Sequence, residues 1–216
     1  MPPGRRGIPR PPSRRKRTDP DPDAPSIPPV VAKSGGDLIT LAGQIRECVA
    51  CDRACDRRAF GTGHPRAAVM LVAERPTNDD LESTGALTAE APALDKAFDA
   101  LGVPLSWVYG STAVRCDSTP ATESQIEACS VHLLIEVEAI EPRVLVAFGP
   151  KAAYAVRCLH GRCGIVVPSD LPQGTPVRLR PGLSLIVTEP MPDGVTNKDA
   201  KRRLWRDLQQ VPELIG

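Results

Sequence analysis

From Asp37 onward, short continuous apolar runs alternate with stretches whose apolar residues recur every three or four positions. Runs of the first kind suit strands buried on both faces, and the second kind suits helices with one buried stripe. DLITLAGQIREC reads as a first helix, with Leu38, Leu41 and Ile45 on one face and Asp37 placed to cap its start. AAVMLVA (67–73) reads as a strand, and the ERPTNDD that follows as a turn. Leu94, Ala97, Phe98 and Leu101 predict a helix over 92–101, and 107–114 reads as a second strand. Thr122 opens a long amphipathic helix over 122–140. RVLVAFG (143–149) is a third strand, and PKAAYAVRCL a helix with Pro150 at its favoured first position. SLIVT (184–188) is the fourth strand, followed by the loop EPMPDGVTN and a last helix over 198–211.

This order predicts an α/β fold of three layers, α/β/α, around a central, mainly parallel four-stranded sheet. In such sheets a ligand crevice opens beyond the carboxyl ends of the strands. That rule nominates the loops 74–85, 115–119, 149–151 and 189–197.

Residues 1–36 break the pattern. They hold eight basic and three acidic residues, and ten prolines fall within the first 30 positions. They read as a disordered, Pro-rich basic arm ahead of a domain over 37–216. The whole chain is near neutral at +1, so the arm's net +5 leaves the domain at −4. A basic arm suits nucleic acid, although a solvated tail shares its composition. No run approaches the length of a membrane span. The N-terminus lacks the apolar core of a secretory signal, which predicts a cytoplasmic location; a monomer is expected, and the excess of Arg over Lys suggests a bacterial source.

Seven cysteines in such a compartment read as thiols or metal ligands. Cys48 and Cys51 form C-x2-C, Cys116 follows the second strand, and Cys129 lies in the helix after it. Four thiolates from two paired segments can close a shell around zinc or an iron–sulfur cluster, and spacing alone does not choose. Cys55 is a spare ligand candidate, while Cys158 and Cys163 read as packed thiols.

With IRECVAC, VMLVAERP, VYGSTAVRC, TESQIEAC, EPRVLVAFGPKAA and the final KRRLWRDLQ helix, the chain resembles the family 4 uracil-DNA glycosylases over roughly residues 37–211. The resemblance implies an α/β/α fold, a 4Fe–4S cluster on Cys48, Cys51, Cys116 and Cys129, DNA as partner, and N-glycosidic hydrolysis in base excision repair. The segment between Cys116 and Cys129 is a few residues shorter than the family's.

The departures fall on the catalytic side. Such an enzyme flips a base into a pocket, stacks it, reads its edge and stabilises the departing anion. The family's GEAPG becomes Ala73-Glu74-Arg75-Pro76-Thr77, which keeps Glu74 and Pro76 and loses both glycines. Asp79 or Asp80 remains able to polarise a water. The stacking Phe falls at Leu87 or Thr88, and the base-reading Asn at Thr112, which offers one hydroxyl where a bidentate amide is wanted. The family's T-x-H-P-S reads Thr188-Glu189-Pro190-Met191-Pro192, without its histidine. His64, His132 and His160 all lie outside that loop.

The expected catalytic residues are therefore Glu74, Asp79 and Asp80, and the expected base pocket is Pro76, Leu87, Thr112 and Glu189. Lys198, Lys201, Arg202, Arg203 and Arg206 gather on the last helix, where the first three share a face suited to phosphates. Three readings follow: a DNA-binding relative degenerate toward uracil, an active glycosylase with an altered base pocket, and a metal-stabilised α/β protein without DNA activity.

Overall fold

The computed structural model describes residues 35–51, 56–116, 119–191 and 196–216, with the side chains of 35–37 excepted. The proposed arm and Cys55 lie outside the described residues. The elements in order are α1 (Gly35–Arg46), β1 (Thr62–Gly63), β2 (Val69–Ala73), α2 (Asn78–Ser83), α3 (Ala91–Ala100), β3 (Val108–Thr112), α4 (Glu123–Ile140), β4 (Val144–Phe148), α5 (Pro150–Arg157), β5 (Val177–Arg180), β6 (Leu183–Thr188), α6 (Lys198–Leu208) and α7 (Val211–Ile215).

The sheet has six strands in the order β1-β3-β2-β4-β6-β5. Its four central members are the four strands the apolar runs predict, and all pair in parallel. The expected count of four is corrected by the antiparallel edges β1 and β5. β1 has two residues, and β5 alternates partly exposed with buried positions, so neither carries the continuous apolar signal of a doubly covered strand.

Alternation along each strand divides the core in two. Met70, Val72 and Leu145 pack against α1, α4 and α5 through Leu38, Leu41, Leu133, Val137 and Val156. Val69, Leu71, Val144 and Val146 pack against α3, α6 and α7 through Leu94, Phe98, Leu204, Leu208 and Val211. The result is the three-layer α/β/α arrangement.

Local chemistry sets the helix ends. Thr122 accepts from Gln125 N while the Gln125 side chain returns to the Thr122 N–H, so the predicted cap is a reciprocal one. α1 begins at Gly35, two residues before the expected cap Asp37. The turn expected at 74–80 contains a helix instead. Thr77 and Asp80 form a second reciprocal cap for α2, whose six residues are too short to show a period. Registers Ala73↔Thr112 and Phe148↔Thr188 bring the carboxyl ends of the parallel strands to one edge of the sheet.

Candidate functional site

At that edge the segments after β2, β4 and β6 enclose a cleft of about 310 Å³. Its walls include Glu74, Pro76, Leu87, Glu90, Phe148 and Lys151. Gly149 joins β4 to α5 with φ of +85°, and a Cβ there would meet Pro190 Cγ at 2.9 Å. Glycine is thus required twice over, by the left-handed backbone and by the approach of the β6 loop.

Glu74 is held on three sides. Its Oε1 accepts from Lys151 Nζ at 3.1 Å and from the Ala121 backbone N–H at 3.2 Å. Its Oε2 lies 3.2 Å from Arg75 Nη1. Lys151 Nζ also donates to Ala121 O at 2.7 Å. The carboxylate therefore ties together the loops that follow three different strands.

Asp80 belongs to the same wall but is engaged structurally. It is buried, its Oδ2 accepts from Thr77 N, and its Oδ1 accepts from Thr88 N and Thr88 Oγ1, both at 2.7 Å. These donors cap α2 and fold the 84–88 turn, on which Leu87 takes a φ of +60°. Asp79 is exposed on α2 and is not a wall residue of the cleft. Glu90, at the start of α3, has a buried Oε2 without a partner. Burial, followed by the nearby Asp80 and then Asp79, raises its carboxyl above the ordinary range.

Thr112 is fully buried at the end of β3, on the strand face shared with Val108 and Gly110, and its Oγ1 has no partner. It is not among the cleft's wall residues, nor is Glu189. Glu189 turns under α6, where its Oε1 accepts from Arg203 Nε at 2.6 Å and from Gln173 Nε2 at 2.5 Å. The Arg203 bond, with that of Gln173, holds its carboxyl below the ordinary range against the effect of burial. Thr188 Oγ1 donates to the buried Asp207 at 2.7 Å. Of the cations on α6, Arg203 pairs with Glu189 and Arg202 with Asp199, while Lys198 and Lys201 stand exposed.

The structure brings Glu74, Pro76, Asp80 and Leu87 together and leaves Asp79, Thr112 and Glu189 off the cleft wall. Lys151, Phe148 and Glu90 were missed as site residues. The crevice rule nominated the loop holding Lys151, but a lone Lys in GPKAA carries no motif, and Phe148 reads in sequence as core.

On the other face, Cys48, Cys51, Cys116 and Cys129 line one small cavity of about 20 Å³, together with Arg115 and His132. Cys48 and Cys51 follow α1, Cys116 follows β3, and Cys129 lies on α4 one turn before His132. His132 Nε2 is 3.4 Å from Cys48 Sγ. Among the described residues no group of three or more His, Cys, Asp or Glu side chains stands in metal-ligating geometry. The four thiols nonetheless line one small cavity, and their donor set is of the type that thiolate-bound metal centres take. Cys158 is half-buried and Cys163 is exposed, which corrects its reading as a packed thiol.

The family model of the Uracil DNA glycosylase superfamily matches residues 60–209. The chain belongs to that superfamily. Within the uracil DNA glycosylase superfamily it is family 4-like: it is 29% identical to the Type-4 uracil-DNA glycosylase of Archaeoglobus fulgidus over 122 residues, covering 54% of this chain and 61% of the relative. It is 30% identical to that of Pyrobaculum aerophilum over 133 residues, covering 58% and 67%. With the Saccharolobus solfataricus relative it shares 26% over 120 residues, covering 52% and 56%. The chain thus matches between half and two thirds of these relatives' lengths. The superfamily match takes in every cleft residue named above and also Cys116 and Cys129, while Cys48 and Cys51 precede it. Among the described residues no helix is long and apolar enough to cross a membrane.

Proposed function

We propose that this protein is a DNA-binding, family 4-like member of the uracil DNA glycosylase superfamily that carries a cluster on Cys48, Cys51, Cys116 and Cys129 and is degenerate toward uracil. The cleft carries the reading. A volume of about 310 Å³ beyond the carboxyl ends of parallel strands suits a base turned out of a DNA strand. Phe148 offers an aromatic wall for it, and Glu74 remains beside Lys151.

Excision requires the N-glycosidic bond to break with its electron pair leaving on the base, while water attacks the sugar carbon. Glu74 is the group that can orient such a water, and Lys151 the cation that can face negative charge. No amide replaces the base-reading Asn, since Thr112 supplies a single buried hydroxyl. Glu189 is committed to Arg203, and a carboxylate in that loop opposes an anionic leaving group. A preorganised donor to a developing anion is worth about 3 kcal/mol, so these replacements together make efficient uracil release unexpected.

The four cysteines supply an all-sulfur donor set, and a bound cluster would pin α1, α4 and the segment after β3 to one another. Lys198 and Lys201, with the basic arm, provide phosphate contacts. A 4Fe–4S cluster is favoured over zinc by the likeness to family 4.

The deciding experiment incubates the full chain with single-stranded and duplex DNA containing uracil or hypoxanthine, and measures abasic sites alongside salt-dependent binding. Salt-sensitive binding without abasic sites is the expected result. Excision of either base establishes instead an active glycosylase with an altered pocket, which Glu74 and the unpartnered Glu90 in the cleft would serve. Absence of both salt-sensitive binding and abasic sites overturns the proposal and leaves the reading of a metal-stabilised α/β binding protein without DNA activity. Iron against zinc content, with an absorption band near about 400 nm for iron–sulfur, decides the metal.

A further inference from the structure

Arg115 is the largest of the fully buried side chains. Its Nη2 lies 2.6 Å from Glu136 Oε2, an oxygen that also accepts from Ser111 Oγ at 2.6 Å. Tyr109 donates to the other oxygen at 3.3 Å. The guanidinium is therefore clamped at one end by a fully engaged carboxylate. At the other, Nε and Nη1 have no partner.

A buried N–H donor without an acceptor costs free energy even on a guanidinium whose charge is paired. Arg115 is also a wall of the cavity that Cys48, Cys51, Cys116 and Cys129 share. His132, a wall of the same cavity with its Nε2 against Cys48 Sγ, leaves its Nδ1 without a partner as well. The residues that carry these unpartnered nitrogens thus line the same cavity as the four sulfurs, and metal-bound thiolates are anionic acceptors for the guanidinium N–H groups.

We infer that Arg115, oriented by Glu136, is a positioning residue that donates N–H groups to the metal-bound sulfurs and offsets their charge. This rests on the four cysteines holding a metal centre, and it is independent of any activity on DNA. Residues that hold ligands in this way change metal affinity by about 10–100-fold when replaced, and hydrogen bonds to sulfur raise a cluster's reduction potential.

The test uses the full-length holoprotein purified without oxygen. An Arg115→Met, Glu136→Gln double variant removes both members of the pair without stranding a charge, and Arg115→Lys keeps the charge but not the planar fork. The readouts are metal content, the rate of metal release to a chelator, the sulfur-to-metal charge-transfer band, and the reduction potential. The double variant is expected to release its metal at least tenfold faster and, with iron bound, to show a lower potential, with Arg115→Lys in between. With zinc bound, the release rate is the readout. A folded double variant that matches the parent in release rate and band position overturns the inference, because the pair is then merely structural. If the double variant does not fold, an Arg115→Lys protein indistinguishable from the parent overturns it equally. A parent chain holding no metal on these thiols sinks both this inference and the cluster assignment, whereas the DNA assays bear only on the activity.

Discussion

Lys151 Nζ lies 3.1 Å from Glu74 Oε1, so one ion pair bridges the segment after β2 to the start of α5 across the cleft. Both side chains are partly exposed, which limits the pair's contribution to stability to about 1 kcal/mol or less. Its larger effect is on the charge presented to DNA. Glu74→Gln removes a carboxylate and frees Lys151, so single-stranded DNA is expected to bind several-fold more tightly at low salt, with little change in unfolding midpoint. Fluorescence anisotropy across a salt series checks this, and weaker binding would show that the carboxylate itself contacts the nucleic acid.

Thr112 buries a hydroxyl that has no partner. An unpaired buried hydroxyl costs on the order of 1–3 kcal/mol, so Thr112→Val, nearly equal in volume, is expected to raise stability by about 1 kcal/mol. Denaturant unfolding measures it. A loss of stability would mean that the hydroxyl has a partner in solution.

Gly61 shows the opposite case. A Cβ at this position would stand 2.1 Å from the Tyr109 hydroxyl and 2.6 Å from Glu136 Oε1. Both belong to the network that clamps Arg115, so Gly61→Ala must displace buried polar groups. The expected cost is about 1–3 kcal/mol or more, read as a lower unfolding midpoint. An unchanged midpoint would show that the network yields easily.

Glu90 carries a pH dependence. Burial and the neighbouring Asp80 raise its carboxyl above the ordinary value of 4.5. The folded state therefore holds this proton more tightly than the unfolded chain, and Glu90's contribution is full below the unfolded value and lost as pH rises through the folded one. Glu90→Gln cannot ionise, so the variant is expected to gain stability relative to the parent as pH rises above about 4.5. Thermal melts at several pH values test the sign, and parallel curves for the two proteins would refute it.

Much of the architecture was legible along the chain. Val69–Ala73, Val108–Thr112, Val144–Phe148 and Leu183–Thr188 are buried on both faces, and only a doubly covered strand needs such an unbroken apolar run. Reciprocal capping at Thr122 and the proline opening α5 were equally local, because each depends on residues within one turn. The edge strands β1 and β5 were not legible, since short half-exposed strands are defined by their neighbours.

The candidate site divides along the same line. Residue types and spacing by themselves determined the α/β class, three of the four nominated crevice loops, with 115–119 supplying no wall residue of the cleft, and the four cysteines that share a cavity. Tertiary structure alone decided which acids face the cleft. Asp80, Glu189 and Glu74 are equivalent as letters, yet Asp80 is consumed by capping α2, Glu189 by Arg203, and Glu74 is held at the opening by Lys151. The same holds for Arg115, whose burial against Glu136 and the cysteines is set by elements far apart in sequence. A carboxylate or guanidinium takes its role from the partners that reach it, and those partners are brought by the packing of the sheet rather than by the order of the chain.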